Sequence, residues 1–272
     1  MFSSAHLFFI LISLAFTAAG TILSRRYITD INLMLKICLV IGIVSEIIKI
    51  FCVADIVPVV TPVVTNSAGG IEFDYRAIGP YTPYIKAEHF PFQLCSIQLI
   101  LISVALLLKD ARKLSSLFAL MYATQIIGGI LAILLPYLVT EYDSLSSMLI
   151  SPRVWQYFLY HSMIITLGLY IGNSTETGIR FEQWKTTALG IMLMDIPSFY
   201  LNSIMSEPVY LNGKLVGVSY CVNYFSSYVN PIGLNLTQKW QWLLYLCVRC
   251  VLAIICIYSL FLIKRKRAYF NR

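Results

Sequence analysis

Seven apolar runs limit what this chain can fold into. They cover approximately Ala5–Leu23, Leu35–Val57, Phe90–Leu108, Leu114–Val139, Val154–Ile171, Thr186–Met205 and Trp240–Ile263. Each is long enough, or nearly so, to cross the roughly 30 Å hydrocarbon core of a bilayer. The runs do not alternate polar with apolar residues, and open strands cannot span lipid, so helices are expected. The expected fold is all-α: one integral membrane domain over residues 1–272, a polytopic bundle of seven transmembrane helices. Composition agrees, with 58% hydrophobic and 12% charged residues, against about 25% charged in a typical soluble domain. No stretch is polar enough to form a separate soluble domain.

The net charge of +7 does not point to nucleic acid, because the basic residues sit in short clusters between apolar runs. Arg25, Arg26 and Lys36 fall in the first connection. Lys109, Arg112 and Lys113 fall in the third, Arg180 and Lys185 in the fifth, and Lys264, Arg265, Lys266, Arg267 and Arg272 in the tail. Thirteen of the 20 basic residues therefore share one side, and only Arg76, Lys86, Arg153, Lys214 and Lys239 fall on the other. The positive-inside rule then places the N-terminus outside and the C-terminus in the cytoplasm. The first run lacks a basic segment before it and is followed by Arg25 and Arg26, so it is expected to stay as an anchor. The expected location is a multi-pass position in a plasma membrane.

The two long connections are expected outside. Asp55–His89 holds Pro58, Pro62, Gly69, Gly70, Gly79, Pro80 and Pro83, and its apolar segments on either side of Asn66–Gly70 suit a hairpin. In Glu207–Thr237, Asn212-Gly213 between apolar residues is a two-residue hairpin signal. Of the seven cysteines, Cys247 and Cys250 have CxxC spacing but lie in an apolar run. They read as packed or lipid-facing residues, not a zinc site. No metal or cofactor is implied.

Ionisable groups inside a membrane need a partner or a function. Glu46 and Lys49 lie three residues apart on one face of the second helix. They form a local ion pair or one wall of a polar cavity. Asp195 and Arg249 lie ten and nine residues into the sixth and seventh helices, each roughly 15 Å deep. They can pair as a clamp or line a functional interior. The last helix offers no buried lysine for a retinal. Asn230-Pro231 lies in a loop, so a receptor-type signature in the seventh helix is missing too.

The third run opens with Phe90-Pro91-Phe92-Gln93-Leu94-Cys95-Ser96-Ile97-Gln98. Pro91 suits a first helical position. Cys95 then lies roughly 6 Å below that start, near a helix N-terminus that favours thiolate. Gln98 follows on the same face. His161 lies roughly 9 Å below Trp155 on the fifth helix, close to the depth of Cys95. A cysteine and a histidine within reach make a nucleophile and its base. The plainer readings are a packed cysteine and a hydrogen-bonded histidine.

The Pro91-Phe92-Gln93-Leu94-Cys95 stretch resembles the signature opening the third helix of the YwaF / transmembrane protein 164 family. Gly128-Gly129 with Pro136, His161, and Val222-Asn223-Tyr224 extend the resemblance over about residues 35 to 260. It implies a seven-helix fold. For animal members it implies a cysteine-dependent acyltransferase that moves an acyl chain from a phospholipid through a thioester to a lysophospholipid. Cys95 then takes the nucleophile's place and His161 its partner's. Gln93, Gln98, Asn223 and Tyr224 become candidates for oxyanion or substrate binding, and membrane phospholipids the expected partners. Ser162, where members often have Gly, and the phenylalanines flanking Pro91 suggest a divergent, bacterial branch. Two alternatives belong to other classes. One is a solute or proton transporter lined by Glu46, Lys49, Asp195 and Arg249, although no internal repeat is visible. The other is a non-catalytic membrane protein.

Overall fold

Hydrophobic runs become helices where a capping side chain can start them. The computed structural model describes residues 3–67, 70–136, 142, 144–211, 214–220, 223 and 237–270. The long helices are α1 (Ser4–Tyr27), α2 (Ile31–Val53), α3 (Leu94–Leu107), α4 (Ala111–Leu134), α6 (Pro152–Asn173), α7 (Trp184–Met205) and α8 (Lys239–Phe270), with a short α5 (Leu145–Ile150). Five of them (α1, α2, α4, α7 and α8) are long and apolar enough to cross a membrane.

The first boundaries differ from the expected ones for local reasons. The Asp30 side chain accepts from the Asn32 N–H at 2.9 Å, which starts α2 before its first apolar stretch. The Asp110 side chain accepts from Arg112 and Lys113 N–H groups and draws two basic residues into α4. Helix α4 stops at Leu134, short of the expected Val139, because Pro136 disfavours helical geometry at Leu135. Pro152 begins α6 in the first-position role that suits a residue without an N–H.

The start of α3 is a correction. It was expected at Phe90, with Pro91 in the first turn. Instead Phe90 to Gln93 form a turn, the Phe92 N–H donates to the Phe90 carbonyl at 2.8 Å, and helix begins at Leu94. Proline serves a turn as well as a helix start, and here the turn wins.

Both expected hairpins form. Strands β1 (Asp55–Ser67) and β2 (Gly70–Tyr84) pair antiparallel, with a register irregularity between Pro58 and Val60. Strands β3 (Glu207–Leu211) and β4 (Lys214–Tyr220) pair antiparallel with Leu211 opposite Lys214, while the expected turn residues Asn212 and Gly213 lie outside the described residues.

Helix α6 is the hub, packing against α1, α2 and α4. It carries Gln156, His161, Ser162 and Thr166, all buried. Such a helix is too polar to face lipid and suits the middle of a bundle. One core cluster joins Leu35, Ile102, Phe118, Met121, Leu167 and Phe261 from α2, α3, α4, α6 and α8. A second holds α1 on α6, where Phe9 stacks on Phe158 at 5.0 Å. Ser162 donates its hydroxyl to the Ser13 carbonyl at 3.3 Å, which ties α6 to α1. His6 of α1 donates through Nε2 to the Ile133 carbonyl at 2.9 Å, which ties α1 to α4.

Close approach fixes where α4, α6 and α8 meet. A Cβ on Gly172 would lie 2.3 Å from the Tyr122 ring. That ring packs on Phe261 and its O–H donates to the Leu260 carbonyl at 3.2 Å. Lys264 donates to the Gly172 carbonyl. Gly172→Ala must push the ring out of this junction. We expect a loss of about 1–3 kcal/mol, read as a lower Tm of the detergent-solubilised protein. Gly217→Ala, with open space around it, serves as the neutral control.

Candidate functional site

Helix α3 begins inside the bundle. Glu46 lies seven residues before the end of α2 at Val53, about 10 Å along the axis. The Ser96 hydroxyl donates to the Glu46 carboxylate at 3.5 Å. From the other side, Tyr160, eight residues into α6, donates its O–H to the Cys95 carbonyl at 2.8 Å. The first turn of α3 therefore sits about two turns below the ends of α2 and α6. The 14 residues of α3 rise about 21 Å, which from that depth reaches the opposite end of the bundle. Non-helical backbone this far inside a membrane protein is tolerated where protein encloses it or where it lines a cavity.

Cys95 is the second residue of α3 and is half-buried. The Ser96 N–H and hydroxyl lie against its thiol, and Lys49 and Glu46 are within electrostatic reach. Arg153 and Tyr157 of α6 stand close enough to feel its charge. The N–H groups of the first helical turn have no intrahelical acceptor; that of Ser96 turns to the thiol, and those of Leu94 and Cys95 precede it.

His161 is buried, at 3% exposure. Its Nδ1 meets the Tyr157 carbonyl at 2.7 Å. A carbonyl only accepts, so Nδ1 carries the hydrogen and Nε2 of the neutral ring carries the lone pair. Nε2 is buried and has no hydrogen-bond partner. The ring sits 4.2 Å from the Tyr157 ring and 5.6 Å from that of Tyr160, centroid to centroid. No hydrogen bond joins Cys95 to His161 among the described residues. They are linked through Tyr160, which holds the Cys95 carbonyl and flanks the imidazole.

The other candidates fall in different places. Gln98 is fully buried and donates to Thr124 Oγ1 at 3.0 Å and to the Leu94 carbonyl at 3.1 Å. Its donors tie α3 to α4 and only its Oε1 is open. Gln93 precedes α3 as its half-buried N-cap residue. Asn223 is half-buried. Tyr224 lies outside the described residues. Glu46 pairs with Lys49, and Asp195 pairs with Arg249 at 2.5 Å. The four charges thus form two ion pairs.

Sequence reasoning passed over Arg153, which it used only as an orientation marker. Its Nη1 donates to Gln156 Oε1, and Gln156 Nε2 donates to Ser45 Oγ at 2.6 Å, so α6 is joined to α2. The available signal was a lone arginine directly after Pro152, where an outer loop enters a helix. Arg153 also borders a cavity of about 410 Å³ lined in part by Cys52, Asp55, Lys86, His89 and Tyr142. This cavity opens at the ends of α2 and α6.

The Asp195–Arg249 pair joins α7 to α8. Removing one partner takes the ion pair from the other charge, whereas removing both leaves an apolar contact. We expect Asp195→Leu and Arg249→Leu each to lower Tm more than the double variant does. Thermal unfolding of the four proteins in one detergent measures this, and additive losses would contradict it.

The chain belongs to the TMEM164 family, whose model matches residues 1–263. No curated protein and no solved structure matches it.

Proposed function

We propose that this TMEM164 family member is a phospholipid acyltransferase that works through a Cys95 thioester. The observation that carries the reading is the first turn of α3. It sets a half-buried cysteine two turns inside the bundle, at the level of a buried histidine whose Nε2 lone pair is unspent. A packed cysteine needs no such turn, and a purely structural histidine normally spends both nitrogens.

The chemistry follows from these groups. His161 Nε2 takes the proton from Cys95 Sγ, and the thiolate attacks the ester carbonyl of a phospholipid. The Leu94 and Cys95 N–H groups hold the developing oxyanion. The carbon–oxygen bond breaks, and the lysolipid alkoxide leaves with the proton from His161. A second lysolipid hydroxyl then gives its proton to His161 and attacks the thioester. The new ester forms and Cys95 leaves as thiolate, which recovers the proton. Sulfur and Nε2 must close to contact for the first step, a tightening that catalytic pairs often leave to the substrate complex. Purified protein incubated with acyl-labelled phospholipid should retain label on Cys95 in a hydroxylamine-sensitive bond. Cys95→Ala should abolish labelling, and His161→Ala should slow it by about 10²-fold or more. Unchanged turnover in both variants would rule out the pair.

The proposed topology is seven spans, α1 to α4 and α6 to α8, with the N-terminus outside and both hairpins on the outer face of the plasma membrane. The polar α6 crosses as an interior helix, and the short α3 crosses beside it with an apolar face of Ile100, Val104 and Leu107 turned outward. A cysteine placed at Thr237 should react with a membrane-impermeant maleimide on intact cells, and one placed at Asp110 only after lysis. The converse pattern would invert the topology.

A further inference from the structure

A partly buried guanidinium with an unspent Nε next to a polar cavity calls for an anion. Arg153 makes no ion pair with any carboxylate among the described residues. Gln156 takes its Nη1, and its Nε is buried with no partner. Lys86 lines the same cavity and likewise makes no ion pair among the described residues. The cavity's volume of about 410 Å³ lies in the range of small-ligand sites, roughly 300–1,000 Å³. Arg153 faces in two directions: it borders this cavity and lies within electrostatic reach of Cys95.

We propose that this cavity, at the ends of α2 and α6, is a subsite for the phosphodiester of a lipid headgroup, gripped by Arg153 and Lys86. The assignment rests on the acyl-transfer reading for its lipid, and on the cavity for its charge. Arg153 and Lys86 bring two positive charges, and Asp55 on the same lining subtracts one. With the His89 imidazole of the same lining uncharged, the single net positive charge matches a phosphodiester monoanion and disfavours a phosphomonoester dianion. The guanidinium offers Nε and Nη donors to two phosphate oxygens, a geometry that an ammonium lacks. Holding the phosphate at the end of α6 leaves the glycerol esters to descend past Lys86–Gln93 toward the sulfur. The grip thereby sets which lipids reach Cys95.

The test is binding to the full-length protein in an uncharged detergent. The probe is a fluorescent short-chain phosphatidylglycerol, compared with its matched diacylglycerol. The phosphodiester should bind at least tenfold tighter than the diacylglycerol, and Arg153→Gln should remove about tenfold of that preference or more. Lys86→Gln should remove severalfold, and Arg153→Lys should retain part of the grip. Asp55→Asn should improve binding of short-chain phosphatidic acid. Equal affinity in wild type, Arg153→Gln and Lys86→Gln overturns the subsite. Should Arg153→Gln not fold, Lys86→Gln decides, since Lys86 is exposed. Inorganic phosphate separates the sources: failure to displace the probe at equal concentration supports a lipid headgroup, and displacement assigns the site to free phosphate and overturns the lipid. All titrations are repeated in Cys95→Ala. Intact binding there with no thioester in the wild type would sink the acyltransferase and leave the subsite standing. Thioester formation with unaltered Arg153→Gln binding would sink the subsite alone.

Discussion

Gln156 reaches from α6 to Ser45 on α2 while it accepts from Arg153, and farther along the same helix His161, Ser162 and Thr166 are buried polar groups that lipid cannot solvate. Hydrocarbon offers no water to satisfy them, so protein must. The bundle's arrangement answers that demand. Helices α1, α2 and α4 wrap α6, and the ties between them are made by its polar side chains: Ser162 to α1, Gln156 to α2, and the Tyr157 O–H to the Ala132 carbonyl of α4 at 2.9 Å. Apolar packing fills the space, but these bonds set the rotation of α6 about its own axis. Rotation in turn decides that His161 faces inward.

The same constraint explains why a short helix can begin in mid-bundle. The turn at Phe90–Gln93 would be untenable against lipid. The helix turn that follows it meets Glu46 and Lys49 of α2 and Tyr160 of α6 through Cys95 and Ser96, which supply both charge and hydrogen bonds. Ser96 is buried, and its hydroxyl faces a carboxylate already neutralised by Lys49. An ion pair that looks purely structural in isolation thus forms part of the environment of the thiol.

Much of this architecture was legible in the sequence. Run length gave the long helices, Asn212-Gly213 gave one hairpin, and the spacing of Glu46 and Lys49 gave their pairing. Asp195 and Arg249 were matched by depth alone. What escaped was set by competition between local rules. Pro91 satisfies a turn as readily as a helix start, and only tertiary surroundings choose between them. Arg153 looked like one more charge on the outer side, because its unmet donor becomes visible only when Gln156, Ser45 and the cavity are in place. The proximity of Cys95 to Tyr160 joins residues 65 apart in sequence, and no local signal encodes it.

The β1–β2 ribbon has two open edges, each a row of backbone donors and acceptors that a neighbouring chain could extend. Its prolines change that. Pro58 and Pro62 lie in β1, opposite Tyr81 and Tyr75, and Pro80 and Pro83 lie in β2. Each lacks an N–H, so a stretch of paired strand that would otherwise invite a third is interrupted on both partners. A hairpin held at the surface of a crowded membrane meets copies of itself constantly. The prolines let it remain a private two-stranded structure, poor at recruiting its neighbours into a sheet.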